Sequence, residues 1–448
     1  MNPPDHPVLA RVLKNTGVLL GGRAANAAIS LGYTAIAARS LGVREVGILI
    51  LINAFAQMVG DVVKFNSWQT VLHYGAGPLN QDDRPQLQQV IRFAIFLDIV
   101  GSLAGVLVAG LGAFLFGARL GWPAADNLHA ALYAFAFLAL TPATPLGLLR
   151  LFDRFDLITA QTPLSSLVRL AGGGIVVLVG ASLTGFLVVW AAGTAAAFVY
   201  ICVSALIELR RRGLLTGWLA TRGPLSLNMP GAWRFAWATN FSATLDTAFT
   251  HAITLAVGAL AGPGPAAFWR IGRQVADGLA KPSRLLIPSL YPELARLHVT
   301  EGHRAMRRLA LQVGLVGGGI GTALLAVAVF AGGPLLTLVM GKSFAAAAPL
   351  MAWQVAAAVI GIWGLPLEPM LVSIGRPGDA LKVRIVVSAG LLASLPFTIE
   401  AYGVIGAAGS LVGAMLALVA GMFAMVQRKA PPERFVPPKE MACMDLQE

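Results

Sequence analysis

Apolar stretches of about 20 residues follow one another from residue 16 to residue 426, and that repetition leaves few folds open. A run of this length crosses a bilayer as a helix, because only a helix satisfies its own backbone polar groups in hydrocarbon. Twelve spans are predicted, over 16–38, 45–67, 91–115, 127–149, 162–181, 184–207, 234–256, 265–287, 309–331, 348–371, 383–400 and 404–426. Outer-membrane barrels are built from strands of about 10 residues with alternating polarity. These runs are continuous, so a barrel is excluded. The expected fold class is an all-α polytopic membrane protein with about 12 transmembrane helices. Composition agrees, with 57% hydrophobic and 12% charged residues where a soluble domain carries about 25% charged.

The first span has a basic approach, and AIA at 35–37 has the look of a leader cleavage site. Arg23 and Asn26 interrupt its apolar run and the next span follows at once, so it is read as a transmembrane helix rather than a removed leader.

The basic residues alternate between the two sets of connecting segments. One set receives Arg11 and Lys14, Arg84 and Arg92, Arg150, Arg154 and Arg169, the arginines at 210–212 with Arg222 and Arg234, then Lys281, Arg284, Arg296, Arg304, Arg307 and Arg308, then Arg376, Lys382 and Arg384, and the basic tail. The other set receives only Arg39, Arg44, Arg119 and Lys342. The positive-inside rule therefore places both termini in the cytoplasm. The net charge of +12 is spread over these loops rather than gathered on a compact face, which argues against nucleic acid as a partner.

The chain carries no motif for chemistry. Cys202 lies in a span and Cys443 in the tail, so no disulfide framework exists. The histidines lack metal-ligand spacing, and no GxxxxGK[ST], HExxH, GxSxG or CxxC sequence occurs. No cofactor and no enzymatic activity are expected, and ATP is not a direct energy source.

The domain plan follows from the spans. Residues 1–15 form a cytoplasmic N-terminus, 16–207 an N-terminal six-helix bundle, 208–233 a cytoplasmic linker, 234–427 a C-terminal six-helix bundle, and 428–448 a Pro-rich tail expected to be disordered. An even number of spans per half gives parallel repeats. A shift of 220 residues supports the duplication, placing Asn26 on Asp246, Ser30 on Thr250, Gly42 on Gly262, Gln57 on Asp277 and Lys64 on Arg284.

Four spans carry polar stripes that lipid would not tolerate. On the first, Arg23, Asn26, Ser30 and Tyr33 share one helix face; on the second, Asn53, Gln57, Lys64 and Trp68 do, with Asp61 beside them. The seventh repeats the pattern with Trp233, Trp237, Asn240, Thr244, Thr247 and His251, flanked by Asp246. The eighth carries Arg270, Arg273, Asp277, Lys281 and Arg284, with Arg273 and Asp277 at i,i+4. Bland readings exist for several. Lys64, Lys281 and Arg284 are near enough to a span end to snorkel, Arg273 and Asp277 can neutralise each other, and Asn53 and Gln57 can bond neighbouring helices. Asp98, inside the third span, has no evident partner. Arg23 and Arg270 resist such readings, since a central arginine costs about 2.5–3.5 kcal/mol to insert. The stripes are net positive, and guanidinium forks suit phosphate. The expected substrate contacts are Arg23, Asn26, Asn53, Gln57, Lys64, Arg270 and Arg273, and the expected ion-coupling carboxylates are Asp246 and Asp277.

RAANAAISLGYTAIAARSLGVREVGIL, and within it AARSLGVREVG at 37–47, resembles the N-terminal signature of the Wzx-type polysaccharide flippases of the multidrug/oligosaccharidyl-lipid/polysaccharide (MOP) exporter superfamily. FNSWQTVLHYGA at 65–76 and VMGKSFAAAAPLM at 339–351 are further echoes, while Val46 stands where an aromatic residue is common. The resemblance implies a V-shaped pair of bundles, alternating access, and an undecaprenyl-pyrophosphate-linked oligosaccharide as cargo for lipopolysaccharide or exopolysaccharide synthesis in the inner membrane. It implies membrane lipids and a coupling ion, H+ or Na+, as partners, with a polysaccharide polymerase and glycosyltransferases working nearby. The rival within the superfamily is an ion-coupled multidrug or small-molecule exporter, which favours an acidic, aromatic lumen. A polymerase-type enzyme needs a large external loop or an acidic metal site, and neither is present.

Overall fold

The computed structural model describes residues 6–141, 143–216, 229–284, 290, 294, 296, 297 and 303–428. Among these, the side chains of 6–25, 242, 243, 245–249, 281–284 and 303 are outside the description, and so is the tail beyond 428.

The described chain is helical and holds twelve spans. α1 (His6–Val63) contains the first two, which meet at Gly42. The second continues through a break at 64–66 into α2 (Ser67–Asn80). α3 (Arg84–Leu120) is the third span. The fourth is split into α4 (Asn127–Ala139) and α5 (Thr144–Leu151). α6 (Phe155–Val179) and α7 (Leu183–Arg211) complete the first half. In the second half, α8 (Ala232–Ala261) and α9 (Pro263–Arg284) are the seventh and eighth spans and α10 (His303–Met340) is the ninth. α11 (Ala348–Trp363) and α12 (Leu367–Ser373) together make the tenth. α13 (Pro377–Gln427) holds the last two, which meet at Gly403.

Among the described residues, eight helical stretches are long and apolar enough to cross a membrane, and two of them hold a span pair joined at Gly42 or Gly403. Of the remaining two spans, α8 ends in the apolar stretch Thr250–Ala261 and α9 is the polar one.

The turns joining spans in pairs are short because each contains a glycine at positive φ: Gly42 (78°), Gly121 (105°), Gly180 (131°), Gly262 (91°), Gly341 (99°) and Gly403 (62°). Only glycine enters this region without a Cβ penalty, so the chain leaves one helix and enters the next with almost no loop. Gly42 and Gly262, matched by the 220-residue shift, have ψ of 176° each. The two glycines aligned by the shift thus share one backbone conformation.

These turns gather at one end of the molecule, hereafter the turn end, where the halves meet backbone to backbone. A Cβ on Gly47 would lie 1.9 Å from the Pro263 carbonyl oxygen, and one on Gly121 would lie 2.8 Å from that of Gly258. Leu51 fills the space beside Gly258. The Arg39 guanidinium donates to the Val339 carbonyl at 3.0 Å and to that of Leu338, neutralising the end of α10. The continuous apolar core includes Leu49, Leu51, Ile52, Trp122, Phe186, Trp269 and Phe344 and runs through both halves at this level.

At the opposite end, α2 and α3 meet the start of α8 through aromatic rings. His73 stacks on Phe235 at 4.4 Å, Phe65 meets Trp237 at 4.9 Å and Phe93 meets Trp233 at 5.2 Å, all but the first edge-on. The Tyr74 hydroxyl donates to the Pro230 carbonyl at 3.0 Å.

Candidate functional site

The polar stripes converge on the seam between the halves. Gln274 on α9 donates to the Ser30 hydroxyl at 3.2 Å, and Ser30 donates to the Tyr33 hydroxyl at 3.2 Å. Thr244 on α8 donates to the Asp61 carbonyl at 2.7 Å, and His251 Nε2 lies 3.6 Å from the Asp61 carboxylate. Asn66, in the break after α1, donates to Asn240 at 3.4 Å. Each half therefore supplies one side of a polar contact to the other. A helix interface with no water-driven hydrophobic gain relies on such bonds and on close packing.

The predicted residues fall into three groups. Arg270, Asn26 and Gln57 retain binding capacity. Arg270 is part-buried within electrostatic reach of Tyr33, Asp277, Arg273 and His251, and among the described residues nothing forms a hydrogen bond or ion pair with its guanidinium. Asn26 has a buried side-chain oxygen with no hydrogen-bond partner among the described residues. Gln57 is part-buried on the second span. A second group is engaged by the protein. Asn53 is buried and accepts a hydrogen bond from the Tyr133 hydroxyl of α4 at 2.7 Å. Lys64 donates to the Leu138 carbonyl at 2.7 Å and to both the carbonyl and the hydroxyl of Thr141 at 2.6 Å. Asp277 is paired with Arg273 at 3.3 Å. The third group, Arg23 and Asp246, has side chains outside the described residues, as do Lys281 and Arg284.

Arg273 also faces a cavity of about 160 Å³ inside the second half, between α8, α9 and α13. Arg384 lies on the same wall, with the hydroxyl-bearing residues Thr250 and Ser388 and the apolar Trp269 and Met415. Two guanidinium-bearing residues around one small cavity make an environment for a compact anion. The Arg384 guanidinium is also 3.6 Å from Glu368. Sequence reasoning counted Arg384 among loop charges, because nothing local distinguishes it from Arg376 and Lys382. Two other contributors were not assigned a role: the Asp61–His251 pair, whose members are 190 residues apart, and Asp98.

Asp98 does have partners. Its carboxylate accepts from the Ser67 hydroxyl at 2.6 Å and from the Thr144 backbone N–H at 2.8 Å. It thereby meets the first residues of α2 and α5, the two helices that restart after breaks. Beside it an apolar cavity of about 690 Å³ lies between α3, α4, α5 and α7, lined by residues including Leu103, Phe135 and Cys202.

No protein-family profile matches the chain. Among curated proteins it is similar to the inner membrane protein YghQ of Escherichia coli K12, with 29% identity over 334 residues, 74% of this chain and 93% of that one. Among solved structures it is similar to an inward-facing multidrug-resistance MATE transporter of the MOP superfamily, with a TM-score of 0.69 at 12% identity, covering 90% of this chain and 96% of that chain. It is similar also to the lipid II flippase MurJ in an inward closed conformation, with a TM-score of 0.64 at 13% identity, covering 92% and 87%. A mutant of the Vibrio cholerae MATE transporter VcmN aligns with a TM-score of 0.56 at 18% identity, covering 93% and 95%. The chain is a multi-pass membrane protein with the fold of the MOP-superfamily transporters.

Proposed function

We propose that this chain is a flippase that moves an undecaprenyl-pyrophosphate-linked oligosaccharide across the bacterial inner membrane by alternating access. Both termini lie in the cytoplasm in this reading, and the 208–233 segment links the two bundles. The observation that carries it is the cationic cavity bearing Arg273 and Arg384, with the guanidinium of Arg270 held on the adjoining seam. A pyrophosphate satisfies such forks bidentately, and a cationic drug does not. The polyprenyl tail stays in lipid while the head group crosses along the seam, with Asn26, Gln57 and Arg23 as its further contacts in this reading. Loading at one end and release at the other require the contacts at the turn end to part.

An ion gradient, of H+ or Na+, supplies the energy, with Asp246 and Asp277 as coupling carboxylates. Asp277 does this by exchanging Arg273 for a free cation, which at the same time releases Arg273 to the pyrophosphate. A polysaccharide polymerase and glycosyltransferases act before and after the step.

The test is a reconstituted flipping assay with a fluorescent undecaprenyl-pyrophosphate glycan in proteoliposomes. Each charge-assisted contact is worth about 1.5–3 kcal/mol, so Arg273→Ala and Arg384→Ala are each expected to weaken substrate half-saturation about 10- to 100-fold. Wild-type activity that is indifferent to both substitutions would sink the assignment of the cavity. Transport of small cations in place of the glycan lipid would sink the flippase reading itself.

A further inference from the structure

The second and fourth spans each continue through an interruption of the helix, and the two interruptions lie against each other. α4 ends at Ala139 and α5 begins at Thr144; α1 ends at Val63 and α2 begins at Ser67. A helix that stops leaves its last carbonyls without partners, and its dipole puts partial negative charge there. In broken-helix transporters, such carbonyls commonly coordinate a free cation.

Here the position is filled from within the chain. The Lys64 ammonium receives three oxygens, the carbonyls of Leu138 and Thr141 and the Thr141 hydroxyl, at 2.6–2.7 Å. An ammonium has three N–H donors, so none remains for a ligand. Ser102 adds a hydrogen bond to the Leu138 carbonyl at 3.2 Å, and the Thr141 hydroxyl in turn donates to the Phe137 carbonyl at 2.8 Å. Asp98 lies within electrostatic reach of the ammonium, buried at 7% exposure and held by Ser67 and Thr144 across the break. Gly101 lets α3 pass close beside the interruption, since a Cβ there would sit 3.1 Å from the Lys64 Cα. The cluster thus has the parts of a monovalent-cation site: converging carbonyl and hydroxyl oxygens, a half-helix C-terminus and a nearby buried carboxylate.

We propose that Lys64 is a tethered cation occupying an oxygen-lined site that otherwise takes a free monovalent metal ion, so that the N-terminal half needs no exchangeable Na+ or K+. Lys64 then belongs to the permanent framework of this half and not to the substrate path. The class of ligand latent at the site is a dehydrated alkali-metal ion of about the charge and reach of an ammonium.

The experiment uses the purified full-length chain in nanodiscs and needs no substrate, so it stands apart from the flippase reading. Thermal unfolding is followed in NaCl, KCl and choline chloride at equal ionic strength for wild type, Lys64→Ala and Lys64→Ser. The serine variant offers a further oxygen to a metal ion and serves if the alanine variant does not accumulate. A ligand that binds only the folded state raises Tm in proportion to the logarithm of its concentration. The expected result is a variant with lowered Tm in choline that recovers by several degrees, saturably, in NaCl or KCl, while wild type shows no comparable rise. Two results overturn the proposal. One is a sodium- or potassium-specific rise as large in wild type as in the variants. The other is a loss of Tm in the variants that no alkali-metal ion restores.

Discussion

Gly47→Ala tests how the halves are held together at the turn end. The added Cβ would stand 1.9 Å from the Pro263 carbonyl oxygen, where an ordinary contact is 3.4–4 Å, so α1 and the start of α9 must separate by about 1.5 Å. The obstruction is backbone on both sides, and no side chain can rotate away. Overpacking of this kind costs about 1–3 kcal/mol. Because the strain exists only while the turn end is closed, it shifts the equilibrium toward states in which that end has parted, by about 5- to 150-fold. The assay is the labelling rate of a cysteine introduced at Ser30, on the seam, by an impermeant maleimide supplied from the turn-end side. The background lacks Cys202 and Cys443. Labelling is expected to rise at least fivefold in Gly47→Ala. Gly258→Ala should act more weakly, since the nearest group in its way is the Leu51 side-chain tip at 2.2 Å and the nearest backbone atom, the Leu120 carbonyl oxygen, stands at 3.0 Å rather than 1.9 Å. Gly110→Ala, on α3 with nothing within 4 Å, should leave labelling unchanged. Equal labelling in Gly47→Ala and Gly110→Ala would refute the claim that this approach holds the end shut.

Tyr133→Phe removes the hydroxyl that bonds Asn53 and should cost about 1–3 kcal/mol, the penalty for an unsatisfied buried acceptor; thermal unfolding would show it while flipping stays intact. Asp98→Ala strips the Ser67 hydroxyl and the Thr144 N–H at the restart of α5 of their acceptor, so a loss of about 1–3 kcal/mol for each buried donor left unpaired is expected in chemical unfolding. On the exposed surface, Arg154 holds the Asp156 carboxyl below its ordinary value of 3.8. The sign follows: this contact contributes stability above pH 3.8 and loses it as pH falls through the lower folded value, and Asp156→Asn should flatten that part of the acid-unfolding curve.

Much of the architecture was legible in the sequence because it rests on local signals. Span length marks the helices, and Gly42 and Gly262 mark equivalent turns because no other residue takes those φ values without strain. The seam was legible only in part: Ser30, Asn240, Thr244 and His251 lie on faces that helical spacing singles out, while Gln274 and the pairing of Asp61 with His251 depend on which helices pack together, which spacing along one helix does not give. The helix break at 64–66 was not legible, whereas the one at 140–143 is signalled by Pro142 and Pro145, which disfavour a continuous helix there. Nothing in VVKFNSWQ forbids a continuous helix, and the break is stabilised by residues far along the chain, Asp98 and Thr144 among them. For the same reason the sequence presents Lys64 as a lumen cation when its acceptors belong to the fourth span, and shows no partner for Asp98. Arg384 was hidden differently: it sits in a run of loop charges, and only the packing of α13 on α8 and α9 brings it to the cavity shared with Arg273.

The flippase assignment is tested most directly in the cell. With the gene deleted, lipid-linked oligosaccharides are extracted and their cytoplasmic-leaflet pool is measured, then again after complementation with wild type, Arg23→Ala and Arg270→Ala. The account predicts that intermediates accumulate and that only the wild type clears them. No accumulation, together with a rise in sensitivity to small toxic compounds, would contradict it and hand the cationic seam to another substrate.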